Sequence, residues 1–145
     1  MIDKNLIASS GLEISASPEK VWTVLTDPQY IKTYLFGTET TTDWSVGSKI
    51  LFQGEYNGQP YEDKGNVLIN IENEKLKYSY WSGFSGLEDL PENYALVNYF
   101  IEDLGNGRVW FKWEQQGFAS RDGQCHTEQM LGQMLKQIKE LAESL

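Results

Sequence analysis

Chemically versatile side chains are scarce here: the 145 residues include one cysteine, one histidine and four prolines. A single thiol forms no internal disulfide, which fits a reducing compartment. One histidine and one cysteine are too few to assemble a zinc or other transition-metal site of usual composition, so no metal and no cofactor is expected. Cations are few as well: 12 Lys and Arg face 21 Asp and Glu, a formal net charge of -9. Phosphate backbones and anionic bilayers draw their affinity from basic side chains, so nucleic acid and membrane are not expected partners. No run approaches the roughly 20 apolar residues that span a bilayer. The opening Met1-Ile2-Asp3-Lys4 leads into no apolar stretch of signal-peptide length. The expectation is one cytoplasmic domain over residues 1–145, a monomer or weak homodimer.

Aromatic residues, by contrast, are abundant: five Trp, eight Tyr and six Phe. Their placement depends on the elements that carry them. Residues 5–16 read as a strand with Ala8, Ser10, Leu12 and Ile14 on one face. Ser17-Pro18-Glu19 then offers an N-cap hydroxyl, a proline at the first helical position and an acid for the helix dipole. Asp27-Pro28 repeats the signal, so one helix ends near Thr26 and a second short one carries Tyr30, Ile31 and Tyr34.

From Phe36 to Phe118 the texture is an antiparallel meander. Ile50, Phe52 and Tyr56 share a face, and Asn57-Gly58 signals a hairpin whose loop Pro60 should lengthen slightly. Val67, Ile69 and Ile71 alternate with Asn66, Leu68 and Asn70; Leu76, Tyr78 and Tyr80 follow, then Val97, Tyr99 and Ile101, and lastly Val109, Phe111 and Trp113. At the C-terminal end, Met130, Leu131, Met134, Leu135, Ile138, Leu141, Ala142 and Leu145 fall within an arc of about 140° on a helical wheel. That amphipathic helix has only the sheet to lie on, which makes an α+β architecture.

Chemistry finds little to use. Cys125 and His126 adjoin in sequence, and on a helix they point about 100° apart, too far for a dyad. Ser82-Gly83-Phe84-Ser85-Gly86 and Gly105-Asn106-Gly107 match no phosphate or dinucleotide loop and read as turns. The acid pairs Glu62-Asp63, Glu88-Asp89 and Glu102-Asp103 read as solvated surface, since adjacent acids on a strand face opposite ways and cannot make a two-carboxylate site. The rings and methionines carry the positive signal. They build either a packed core or an adaptable cavity lining.

The segments SPEKVW at 17–22, TDPQYIKTYLFGTE at 26–39, TDW at 42–44, VGSKILFQGEYNGQPYEDKG at 46–65 and SGLEDLPENY at 85–94, with the closing helix, resemble the activators of the ninety-kilodalton heat-shock chaperone ATPase. The likeness is to the single-domain bacterial form, within the superfamily of START, plant pathogenesis-related and polyketide-cyclase-like (SRPBCC) proteins. It implies a helix-grip fold: a seven-stranded antiparallel sheet wrapped around a long C-terminal helix, with two short helices after the first strand. It also implies a hydrophobic cavity between sheet and helix. The lining candidates are Tyr34, Trp44, Phe52, Tyr56, Tyr78, Tyr80, Tyr99, Phe111, Trp113, Met130 and Met134. The leading expectation is a non-enzymatic binding protein for a small apolar or aromatic ligand. The alternatives are a chaperone-binding module acting on the ATPase, and an enzyme on a hydrophobic, polyketide-like substrate using His126 or a tyrosine.

Overall fold

The computed structural model describes residues 1–145. Strand β1 (Asp3–Ile14) is followed by helices α1 (Pro18–Thr26) and α2 (Pro28–Tyr34). Strands β2 (Glu39–Thr41), β3 (Lys49–Tyr56), β4 (Gln59–Ile71), β5 (Lys75–Tyr80), β6 (Ala95–Gly105) and β7 (Arg108–Phe118) come next, and helix α3 (Arg121–Glu143) closes the chain. The seven strands form one antiparallel sheet in the order β1-β7-β6-β5-β4-β3-β2, the helix-grip arrangement.

Both capping signals act as the residues dictate. Ser17 Oγ accepts from the Lys20 N–H at 3.3 Å, and Asp27 Oδ1 accepts from the Gln29 N–H at 2.9 Å. Helix α3 begins earlier than its apolar periodicity reveals, because its first turn is polar and is fixed instead by Ser120, whose Oγ accepts from the Gly123 N–H at 3.1 Å. Its buried stripe is Leu131, Met134, Leu135, Ile138 and Ala142.

Three details of the sheet depart from the sequence reading. Asn57 and Gly58 form a two-residue turn with both φ angles positive, at 52° and 79°, and Tyr56 pairs directly with Gln59. Pro60 does not lengthen the loop. It sits opposite Glu55 in a non-hydrogen-bonded pair, and its nitrogen faces away from β3, where no ladder bond is needed. In β4 the register shifts between Val67 and Ile69, so the alternation of Val67, Ile69 and Ile71 breaks. Beyond this bulge Asn70 takes the inward position opposite Leu76, and Ile71 turns outward and is exposed. The short edge strand β2 carries no periodicity of its own and is defined by its pairing with Phe52 and its neighbours on β3.

Twenty-six buried residues form one cluster between the sheet's inner face and the three helices. Helix α3 meets the sheet mainly at β1, touches β7, and also packs on α1 and α2. The rings of β3 and β5 thus face a region that the helix does not fill completely.

Candidate ligand cavity

The unfilled region is a cavity of about 730 Å³. Its inner wall comprises Phe52 from β3, Tyr78 and Tyr80 from β5, Val97 from β6 and Trp113 from β7, and Met130, Leu131 and Met134 of α3 close it from the other side. Rings brace the wall: Phe52 lies 5.8 Å from Tyr80 and 5.9 Å from Tyr78, and Tyr78 meets Tyr99 edge-on at 5.6 Å. Phe36, Tyr56 and Phe84 stand exposed at the mouth, the Phe84 ring 5.8 Å from Tyr56 and 5.6 Å from Tyr61.

Seven of the eleven residues expected from sequence line this space: Phe52, Tyr56, Tyr78, Tyr80, Trp113, Met130 and Met134. The other four do not. Tyr34 is fully buried, donates its hydroxyl to the Leu25 carbonyl at 3.1 Å, and sets its ring edge-on to Trp113. Trp44 holds a left-handed φ of 63° and is tied at both ends: its Nε1 donates to the Thr26 carbonyl, and its own carbonyl accepts from Asn70 Nδ2. It locks the loop before β3 to the end of α1. Tyr99 and Phe111 form the solid floor, with Tyr99 centred 4.4 Å from the Trp113 ring and 6.1 Å from Phe111. Alternation correctly assigned these rings inward, but periodicity does not distinguish a side chain against a void from one against another side chain.

The cavity also draws on residues that the sequence reading placed elsewhere. Asp63, expected at the surface with Glu62, is buried at 6% exposure. It lies opposite Phe52 on the inward face of β4, and its Oδ2 accepts from the Tyr80 hydroxyl at 2.7 Å. The clue was available in parity: Asp63 shares a face with Gly65 and Val67 once β4 runs unbroken through them. Burial pushes the Asp63 carboxyl above the ordinary 3.8, opposed by the Tyr80 hydroxyl and more weakly by Ser82 and Gly83. The folded chain therefore holds this proton more tightly than the unfolded one. The penalty is absent below pH 3.8 and reaches full size once the pH passes the raised value.

Tyr61 reaches across Gly54, where a Cβ would sit 2.6 Å from its hydroxyl, and donates to Thr38 Oγ1 at 2.6 Å. Thr38 in turn donates to the Leu35 carbonyl at 2.7 Å. Burial raises the Tyr78 and Tyr99 hydroxyls well above the usual phenol range; they bond each other at 2.7 Å and stay neutral.

His126 lies on the cavity rim in the early turns of α3, exposed like its neighbour Cys125. Neither side chain makes a hydrogen bond. No acid or hydroxyl orients His126 as a general base is oriented.

A curved antiparallel sheet gripping a long C-terminal helix over an aromatic cavity defines a helix-grip, START-like protein. Residues 15–143 match the family described as Activator of Hsp90 ATPase homolog 1-like protein, and the chain belongs to that family. A protein from Cytophaga hutchinsonii, solved in solution, is 39% identical, with 99% of this chain and 97% of that chain covered and a TM-score of 0.81. The Aha1 dimer from Colwellia psychrerythraea shares the fold at 18% identity, covering 94% and 96% of the two chains with a TM-score of 0.72. An HSP90 activator from Plasmodium falciparum does so at 16% identity, covering 77% and 72% with a TM-score of 0.60. Comparison with curated proteins finds no match. No helix is long and apolar enough to cross a membrane.

Proposed function

We propose that this protein binds a small apolar or aromatic molecule in the cavity between the sheet and α3, without catalysing a reaction. The observation that carries the reading is the 730 Å³ space walled by Phe52, Tyr78, Tyr80, Trp113, Met130 and Met134. A sealed, dry void of even about 300 Å³ would cost roughly 7 kcal/mol at about 24 cal/mol per Å³, comparable to the whole stability of a domain. Space on this scale is wet or occupied, and a wall of rings and thioethers favours an apolar occupant. The setting is the cytoplasm, where the exposed Cys125 thiol stays reduced.

N-phenyl-1-naphthylamine, a neutral dye that brightens in apolar surroundings, tests the reading directly. Saturable 1:1 brightening is expected, weakened at least about tenfold in Val97→Trp, whose indole occupies the space, with the circular dichroism spectrum unchanged. Equal binding by wild type and the variant, or none by wild type, would sink the idea.

Family membership favours a second reading, in which the chain modulates the ATPase of a ninety-kilodalton heat-shock chaperone. The exposed Phe36, Tyr56 and Phe84 supply an apolar contact surface for it. Saturating the chaperone with this protein should then change its ATP turnover at least about twofold; an unchanged rate across the titration would dispose of the reading.

A further inference from the structure

The indole N–H groups of Trp44 and Trp81 are spent on the Thr26 and Leu87 carbonyls, at 2.8 and 3.2 Å. That of Trp113 has no acceptor within the chain, although the residue is only 5% exposed. Other buried side-chain atoms lack partners too, Thr40 Oγ1, Asp63 Oδ1, Asn93 Oδ1 and Gln137 Oε1, but those are sealed from water. Trp113 Nε1 is not sealed. The residue points inward from β7 and borders the cavity, so the surface left to its nitrogen opens into that space. Two rings hold the donor in position: Tyr34 stands edge-on to the indole at 6.2 Å, and the Tyr99 ring is centred 4.4 Å away. Both are buried, so the indole cannot swing off to another acceptor, and little ordering is left to be done on binding.

An indole nitrogen donates and never accepts, so it dictates the sign of its partner. The hydroxyls of Ser82, Ser85, Ser120 and Thr127, the His126 ring and the Gln115 amide also line the space, from half-buried or exposed positions. Each of them can donate or accept, and none sets such a preference. A hydrocarbon seated against Trp113 would strip water from its N–H and return nothing, whereas a carbonyl oxygen there replaces the lost bond.

We propose that Trp113 Nε1 is the polar anchor of the cavity, which therefore selects apolar molecules carrying a carbonyl acceptor over hydrocarbons of the same shape. The proposal rests on the reading of the cavity as a binding site and adds the chemistry of its occupant. Apolar surface supplies affinity along Phe52, Tyr78 and Met134. The indole N–H sets which way round the occupant lies.

α-Tetralone and tetralin share one bicyclic frame and differ by a carbonyl in place of a methylene, and titrating each into isotope-labelled protein decides the matter by NMR. The two differ in their own hydration, so the contact is read from the ratio of their dissociation constants in wild type against the same ratio in Trp113→Phe. Space left by the smaller ring acts on both probes alike. The standing of α-tetralone relative to tetralin should fall at least about fivefold in the variant, the scale of one hydrogen bond. In wild type the Trp113 indole proton, recognised by its proximity to the Tyr34 and Tyr99 rings, should move downfield with α-tetralone and not with tetralin. If α-tetralone binds and moves that proton no further than tetralin does, or if the ratio in Trp113→Phe stays within about twofold of wild type, the selection is wrong although the cavity reading stands. If neither probe binds, the selection falls, and the dye titration decides the cavity reading separately. Should Trp113→Phe fail to fold, the indole shift in wild type decides.

Discussion

Replacing Gly65 by alanine is expected to cost the fold at least about 3 kcal/mol, beyond the usual range for an overpacked side chain. A Cβ at this position would lie 1.7 Å from the Ser79 carbonyl oxygen and 2.7 Å from its carbon. Those are main-chain atoms of the neighbouring strand, so no rotamer change relieves the clash. The strands are fastened on both sides of the contact: Val67 pairs with Tyr78, and Lys64 forms a bridge with Trp81 through bonds of 3.0 and 2.8 Å. Between them the Asn66 N–H goes to Ser79 Oγ rather than into a regular ladder. Glycine permits this close approach, and the approach carries Asp63 and Tyr61 over the cavity. Urea unfolding would measure the effect. A midpoint shift equivalent to less than about 1 kcal/mol would show that β4 and β5 can separate without cost.

Phe111→Ala should destabilise the protein by about 3–5 kcal/mol with little change in the affinity for N-phenyl-1-naphthylamine among the molecules that remain folded. The Phe111 ring is fully buried and lies outside the cavity, pressed against the Tyr99 ring. Truncation leaves a new hole in a region where neighbouring rings are already interlocked, so relaxation is limited. Thermal or urea unfolding in parallel with dye titration separates floor from lining. A loss below about 1 kcal/mol, or a marked gain in dye binding, would place Phe111 at the edge of the cavity instead.

How far the sequence reveals these roles depends on the signal each role leaves. Paired Ser-Pro and Asp-Pro starts, turn residues and the apolar arc of α3 are local features, and the α+β layout follows from them. The inward direction of Phe52, Tyr78, Tyr99, Phe111 and Trp113 follows from a period of two. What fills the space beyond each ring is a property of the assembled layers, so Tyr99 and Tyr78 look alike in sequence while only Tyr78 borders the cavity. The bulge at Leu68 leaves no marker, and without it Ile69 and Ile71 look like continuations of Val67. Asp63 is the instructive miss. Acidity suggested water, whereas strand parity placed it inward, and parity prevails because the backbone leaves the side chain only one face to occupy.

The outer edge of β1 has a partner of an unusual kind. Gln124 of α3 donates to the Ile7 carbonyl, Lys139 donates to the Glu13 carbonyl, and Glu143 accepts from the Ser15 N–H, a contact spanning 128 positions. Helix α3, far along the chain from β1, thus seals its edge. Until α3 emerges, the aromatic face of the sheet lacks its cover and the first strand keeps an open edge that could recruit other chains. Folding of this domain therefore waits on α3: fragments truncated before it expose a sticky ring-lined surface, and the cavity comes into being only with that helix.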